Sequence, residues 1–94
     1  MRVRYTPGAF SDRERIFEYL KERSESGARN VAASIREAAA QLREHPDSGY
    51  RTDDPDIRVL FVKRYPYKIF YRVRDAVEIL HIRHTSRRAW KADK

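Results

Sequence analysis

The sequence predicts an α+β domain, a short N-terminal strand and an α-helical hairpin packed on an antiparallel sheet in the order β-α-α-β-β-β. Three observations lead there. Residues 57–84 hold three apolar runs rich in Val, Ile, Phe and Tyr, interrupted at Pro66 and at Asp75-Ala76. Such side chains fit a pleated, half-buried surface, and short breaks make consecutive strands antiparallel neighbours. Residues 28–42 repeat small apolar side chains at helical spacing. A chain of 94 residues holds one core and no more.

The expected organisation is therefore a single domain over 1–94. The hairpin spans about 7–45, the sheet meander about 57–84, and a basic C-terminal tail covers 85–94. Hydrophobic residues make up 40% of the chain, enough for one core. Cys is absent, which rules out disulfides and thiolate chemistry. The first ten residues lack the apolar run of a signal peptide. No stretch approaches the roughly 18 apolar residues of a membrane span. The expectation is a soluble, cytoplasmic protein with no membrane contact and no cofactor.

Charge divides the chain in two. Residues 1–55 carry ten Lys/Arg and ten Asp/Glu, which cancel. Residues 56–94 carry eleven Lys/Arg and four Asp/Glu, so the whole net charge of +7 sits in the sheet half. A field of that sign attracts nucleic acid, acidic protein surfaces or acidic disordered segments. The plainer alternative is a solvated sheet face kept soluble by its cations.

Taken in order, Arg2-Val3-Arg4-Tyr5 alternates polar and apolar residues and reads as a short strand. Thr6-Pro7 is a helix start, with Thr6 as N-cap and Pro7 in the first turn. Ser11-x-x-Glu14 is a second start, a capping box. Phe10, Ile16, Phe17 and Leu20 share one side of this helix, which ends near residue 25 at Ser24, Ser26 and Gly27. In the second helix Ala28, Val31, Ala32, Ile35, Ala38, Ala39 and Leu42 form one stripe over four turns. His45-Pro46 ends it, because the residue before proline is pushed out of the helical region. Residues 50–56 read as a polar loop. Strands follow at about 57–64, 67–74 and 77–84. Their faces are mixed, and alternation alone does not say which side is the core. In the last strand, strict alternation sets Val77, Ile79, His81 and Arg83 against Glu78, Leu80, Ile82 and His84.

Several side chains stand out. Lys68, Arg72 and Arg74 share a strand face and offer a cationic surface for a target. Arg87, Arg88 and Lys91 beside Trp90 form a second candidate contact segment, since Arg and Trp are frequent binding anchors. The alternative for Trp90 is packing back onto the sheet. Tyr65, Tyr67 and Tyr71 have the rings for base stacking, but sheet-packing aromatics are commoner. His81 and His84 are three residues apart and point to opposite faces of a regular strand, so they make a poor metal pair. No acidic or Cys cluster completes a metal site.

Several segments, in order, resemble the RelE/ParE superfamily of toxins from bacterial type II toxin–antitoxin modules. They are the Thr6-Pro7 helix start, Leu42-x-x-His45-Pro46-x-x-Gly49, Arg58-Val59-Leu60, Tyr65-Pro66-Tyr67-Lys68-Ile69-Phe70-Tyr71, and Ile79-Leu80-His81-Ile82-x-His84-x-x-Arg87-x-x-Trp90. The Tyr65–Tyr71 and His84-x-x-Arg87 segments look most like the ParE, or plasmid-stabilisation, branch. The resemblance implies a RelE/ParE-like fold and one of two activities. ParE-like members poison DNA gyrase and stop replication; RelE-like members are ribosome-dependent mRNA endonucleases. In both, the disordered C-terminal part of an antitoxin wraps the toxin, and operator DNA is bound through the antitoxin.

RNA cleavage by the 2′-hydroxyl needs a general base, a general acid and cations for the developing charge. By resemblance the candidates here are Lys68, His84 and Arg87. Trp90 falls near the place of a RelE-like tyrosine, and an indole donates but cannot exchange a proton at neutral pH. Lys68 stands where that pattern has an arginine. Both departures favour the gyrase-directed activity. A ParD-like antitoxin with an acidic C-terminal segment would be steered to the basic chain. Its expected contacts are Val31, Ile35 and Leu42 on the hairpin, with Lys68 and Arg72 on the sheet.

Overall fold

A computed structural model describes residues 1–86. The elements are β1 (Val3–Tyr5), α1 (Pro7–Lys21), α2 (Glu25–Glu44), β2 (Tyr50–Arg51), β3 (Arg58–Phe61), β4 (Tyr67–Val73) and β5 (Val77–His84). The two helices form the expected hairpin. Among the described residues the sheet has five strands in the order β1-β5-β4-β3-β2. The pairs β2–β3, β3–β4 and β4–β5 are antiparallel, whereas β1 runs parallel to β5.

Local chemistry explains the helix ends. The first of the two start signals is used, with the Thr6 hydroxyl accepting from the Ala9 N–H at 3.3 Å and Pro7 opening α1. Ser11 caps nothing and instead accepts from Arg15 one turn on. The link between helices is shorter than expected. Ser24 caps α2 and its hydroxyl accepts from the Gly27 N–H at 3.0 Å, which draws Gly27 into the first turn instead of leaving it in the link. His45 closes α2, as the following Pro46 requires.

The core lies between the hairpin and one face of the sheet. Ala28, Val31, Ile35, Ala38 and Leu42 are the buried stripe of α2. The last four join Leu60, Val62, Tyr67, Ile69, Tyr71, Val77, Ile79 and Ile82 from the strands and the end of β3. Each large side chain fully buried here contributes about 1.5–3 kcal/mol. The opposite face holds a small cluster of Ile57, Val59 and Phe70, with Leu80 packed against it.

Two expectations for the sheet need correction. Residues 50–51 are a strand, not loop. Tyr50 pairs with Val59 and Arg51 with Arg58, but two exposed residues leave no apolar alternation to find. Strict alternation also fails in β5. Phe70 pairs with His81 and Tyr71 with Ile79, so Leu80 is the extra residue of a β-bulge. Beyond it the faces exchange: Ile82 joins Val77 and Ile79 in the core, while His81 and Arg83 leave that side.

The bulge sits where β1 ends and α1 takes over the edge of β5. The Thr6 hydroxyl donates to Ile79 O at 2.8 Å. The buried Asp12 carboxylate accepts the Ile82 N–H at 3.0 Å and lies 3.0 Å from His81 Nδ1. An acidic side chain thus satisfies a backbone donor that has no neighbouring strand. On the other edge, the buried Tyr71 hydroxyl accepts the Gly49 N–H at 2.9 Å. A Cβ at Gly49 would lie 2.5 Å from that oxygen and 2.8 Å from Val59 O, so only glycine fits.

Candidate functional site

Two surfaces flank this core. The first is a groove of about 320 Å³ between α1 and α2, lined among others by Arg13, Phe17, Leu20, Val31, Ile35 and Arg36. Small residues at Ala28 and Ala32 let the helices approach while leaving this channel between larger neighbours. The Arg13 guanidinium lies 4.6 Å from the Tyr5 ring centre and 5.2 Å from that of Phe10. Of the hairpin residues expected to meet a partner, Val31 and Ile35 line the groove but are 5% and 1% exposed. Leu42 is fully buried and faces the sheet core. Groove walls are accessible there chiefly through the side chains of α1 and through Arg36.

The second surface is the side of the sheet away from the hairpin, the open side, on which Val59, Lys68, Phe70 and Glu78 are nonetheless buried. Lys68 is buried, its Nζ 5.4 Å from the centre of the Phe70 ring. Arg72 donates to Glu78 across the strand pair at 2.6 Å, and Arg4 from β1 donates to the same carboxylate. The two guanidinium groups, Arg72 foremost and then Arg4, hold the Glu78 carboxyl below its ordinary value. Part of the expected cationic face is therefore a paired ladder across three strands, two guanidinium groups sharing one carboxylate. Arg74 lies exposed in the β4–β5 turn, beyond the strand and outside that ladder.

Lys68 and His84 do not converge. His84 pairs with Tyr67, and the two rings meet edge-on at 5.5 Å on the helix side of the sheet. Lys68 pairs with Arg83 and packs with Phe70 on the open side. His84 Nδ1 accepts the Ser86 N–H at 3.1 Å, which places the proton of a neutral imidazole on Nε2. Arg87, Arg88, Trp90 and Lys91 lie outside the described residues. Among the described residues no three His, Cys, Asp or Glu side chains are placed to hold a metal ion. No described helix is long and apolar enough to cross a membrane.

The aromatic candidates divide. Tyr71 is fully buried, and burial pushes its phenol up while the Gly49 N–H pulls the other way. Tyr67 is also buried and its phenol is raised for the same reason. Both rings belong to the core and neither is a stacking platform. Sequence reading passed over Asp12, Glu78, and the exposed Tyr50, Phe61, Lys63 and Arg64. Glu78 carried a signal, being an acid within a basic segment. Asp12 carried none, because its partner is seventy residues away.

Comparison with known proteins agrees with this architecture. The family model for the ParE toxin of the type II toxin–antitoxin system, parDE, matches residues 3–89. A relative from Sinorhizobium fredii named "Putative toxin Y4kP" is 34% identical over 83 residues, covering 88% of this chain and 86% of its own. A solved structure described as "Chromosomal ParDE TA system from P. aeruginosa" superposes with a TM-score of 0.76 at 24% identity. The match covers 89% of this chain and 95% of that one, and shows the same fold. With a strand, a helical hairpin and this sheet in common, and a family match over nearly its whole length, the chain belongs to the ParE toxin family of type II toxin–antitoxin systems.

Proposed function

We propose that this toxin-family protein acts in the cytoplasm by binding DNA gyrase and stopping replication, and that a cognate ParD-like antitoxin neutralises it. The observation that carries the gyrase reading over RNA cleavage is the separation of Lys68 from His84. A general base and the cation that stabilises a phosphorane must reach the same phosphodiester. These two side chains leave the sheet on opposite sides. Binding, in contrast, needs complementary surface and no convergent catalytic set.

The antitoxin reading rests on shape and charge together. The groove between the helices has apolar walls with Arg13, Glu14 and Arg36 at its margins, a rim of net positive charge. An amphipathic helix with acidic flanks fits such a channel, in the helix-in-groove manner. Arg72 then meets the extended remainder of the antitoxin on the sheet by exchanging part of its bond to Glu78, and Lys68, buried in the free chain, joins it only by moving outward. Operator DNA is contacted through the antitoxin, and such a pair stabilises the plasmid or chromosomal segment that encodes it.

Pulse labelling after induction tests this, with DNA and protein synthesis followed separately. Early loss of DNA synthesis with a DNA-damage response is the expected result. Early loss of translation with ribosome-dependent mRNA cuts would overturn it in favour of the endonuclease. No effect on either process would leave a module that only binds its antitoxin.

A further inference from the structure

Arg64, in the β3–β4 turn, is the one described residue other than glycine with a positive φ, at 74°. Glycine adopts that left-handed conformation freely, and a residue with a Cβ adopts it at a cost. Backbone strain of this kind clusters at functional sites, which makes this turn a place to look for a use of the side chain. The Arg64 side chain is exposed, as is that of Lys63. Neither enters an ion pair among the described residues. Two residues before Lys63, Phe61 is 50% exposed, and its ring meets that of Tyr50, 67% exposed, at 6.1 Å and a 60° tilt. The acids of this edge, Asp53, Asp54 and Asp56, precede β3 at its other end. The turn is anchored to the end of β5, where the Thr85 N–H donates to Pro66 O at 2.8 Å.

We propose that Tyr50, Phe61, Lys63 and Arg64 form the surface through which this protein grips an acidic patch on its target protein. This rests on the reading that the target is a protein, DNA gyrase. Exposed aromatic anchors bordered by unpaired cations are the composition of an interface centre and its rim. The charge complement is an acidic surface. A protein fits better than nucleic acid because the two rings are tilted onto each other and present no parallel platform for bases. Phe61 shares the open side of the sheet with Val59, while the hairpin groove lies over the opposite side. An antitoxin helix in that groove leaves this patch uncovered.

The experiment measures binding of the full-length chain to purified gyrase, to a ParD-like antitoxin and to duplex DNA at low and high salt, together with growth arrest on induction. The variants are Arg64→Glu, Phe61→Ser and Arg64→Gly, with Arg29→Glu on the exposed side of α2 as the charge-matched control. Arg64→Glu and Phe61→Ser should each weaken gyrase binding about tenfold. The loss in Arg64→Glu should shrink at high salt. Arg64→Gly suits the backbone at that position, so it should melt no lower than the parent and still bind more weakly. Arg29→Glu should bind as the parent does.

Parental affinity in both Arg64→Glu and Phe61→Ser overturns the proposal. So does a loss confined to antitoxin binding, or one confined to duplex DNA. If the parent arrests growth without binding gyrase, the gyrase reading falls alone. Arrest in Arg64→Glu then decides the surface: abolished arrest supports it and full arrest overturns it. A parent that neither binds nor arrests growth overturns both.

Discussion

The two sides of the sheet put the same strands to different uses. On the helix side, thirteen buried residues form one continuous cluster across the hairpin and strands β3, β4 and β5. On the open side, three buried residues and Leu80 make a small apolar island. Around it stand Lys68, the Arg72–Glu78–Arg4 ladder, and exposed Phe61. The difference teaches where stability and recognition are divided. The helix side is closed between hairpin and sheet, and is approached from outside only through the groove between α1 and α2. The open side keeps Arg4, Tyr50 and Phe61 at the surface and Arg72 half-buried, while Lys68, Phe70 and Glu78 are buried.

The largest expected effects lie on the helix side. Ile69→Ala removes a side chain with no exposure and should cost about 3–4 kcal/mol in urea unfolding. If it costs no more than a change on the open side, the division between the sides fails. Gly49→Ala should cost about 2–3 kcal/mol, because the new methyl meets both the Tyr71 hydroxyl and Val59 O. Thermal melting of that variant checks whether this edge closes as tightly as the geometry requires. Asp12→Ala strips the acceptor from the Ile82 N–H and should cost about 2 kcal/mol. Hydrogen exchange should then show the Ile82 amide losing protection before those of β4.

Smaller effects belong to the open side. Val59→Ala should cost about 1.5 kcal/mol, near the value for two buried methyl groups. Glu78→Gln sharpens the comparison through pH. The carboxyl is held below its ordinary value of 4.5 by Arg72 and Arg4, so its contribution is present above that value. It is lost as pH falls through the lowered folded value. Melting curves should therefore show the parent losing stability on acidification by one component that Glu78→Gln lacks. Identical acid profiles would mean the ladder does not bind Glu78 more strongly in the folded protein.

Much of the fold was legible because its determinants are local. Thr6-Pro7, the small-residue stripe from Ala28 to Leu42 and His45-Pro46 mark helices by rules that act within a few residues. Pro66 and Asp75-Ala76 mark turns in the same way. The candidate site was legible only as composition. A basic sheet half pointed to an acidic partner, but Arg72 proved to be paired with Glu78, and Lys68 and His84 proved to lie on opposite sides. The two-residue β2 is too short to show a pattern, and Arg64 shows its left-handed backbone only in the folded turn.

The sequence by itself determined the helices, the three apolar strands, their antiparallel meander and the sign of the protein's field. Each follows from periodicity, turn residues or charge count, which need no knowledge of distant neighbours. Tertiary structure alone decided that β1 returns to pair in parallel with β5, over seventy residues away. It also decided that Leu80 bulges, and so which side His81 and Ile82 face. A one-residue shift in register moves every later side chain across the sheet. That shift is fixed here by a hydroxyl and a carboxylate, Thr6 and Asp12, reaching β5 from the far end of the chain.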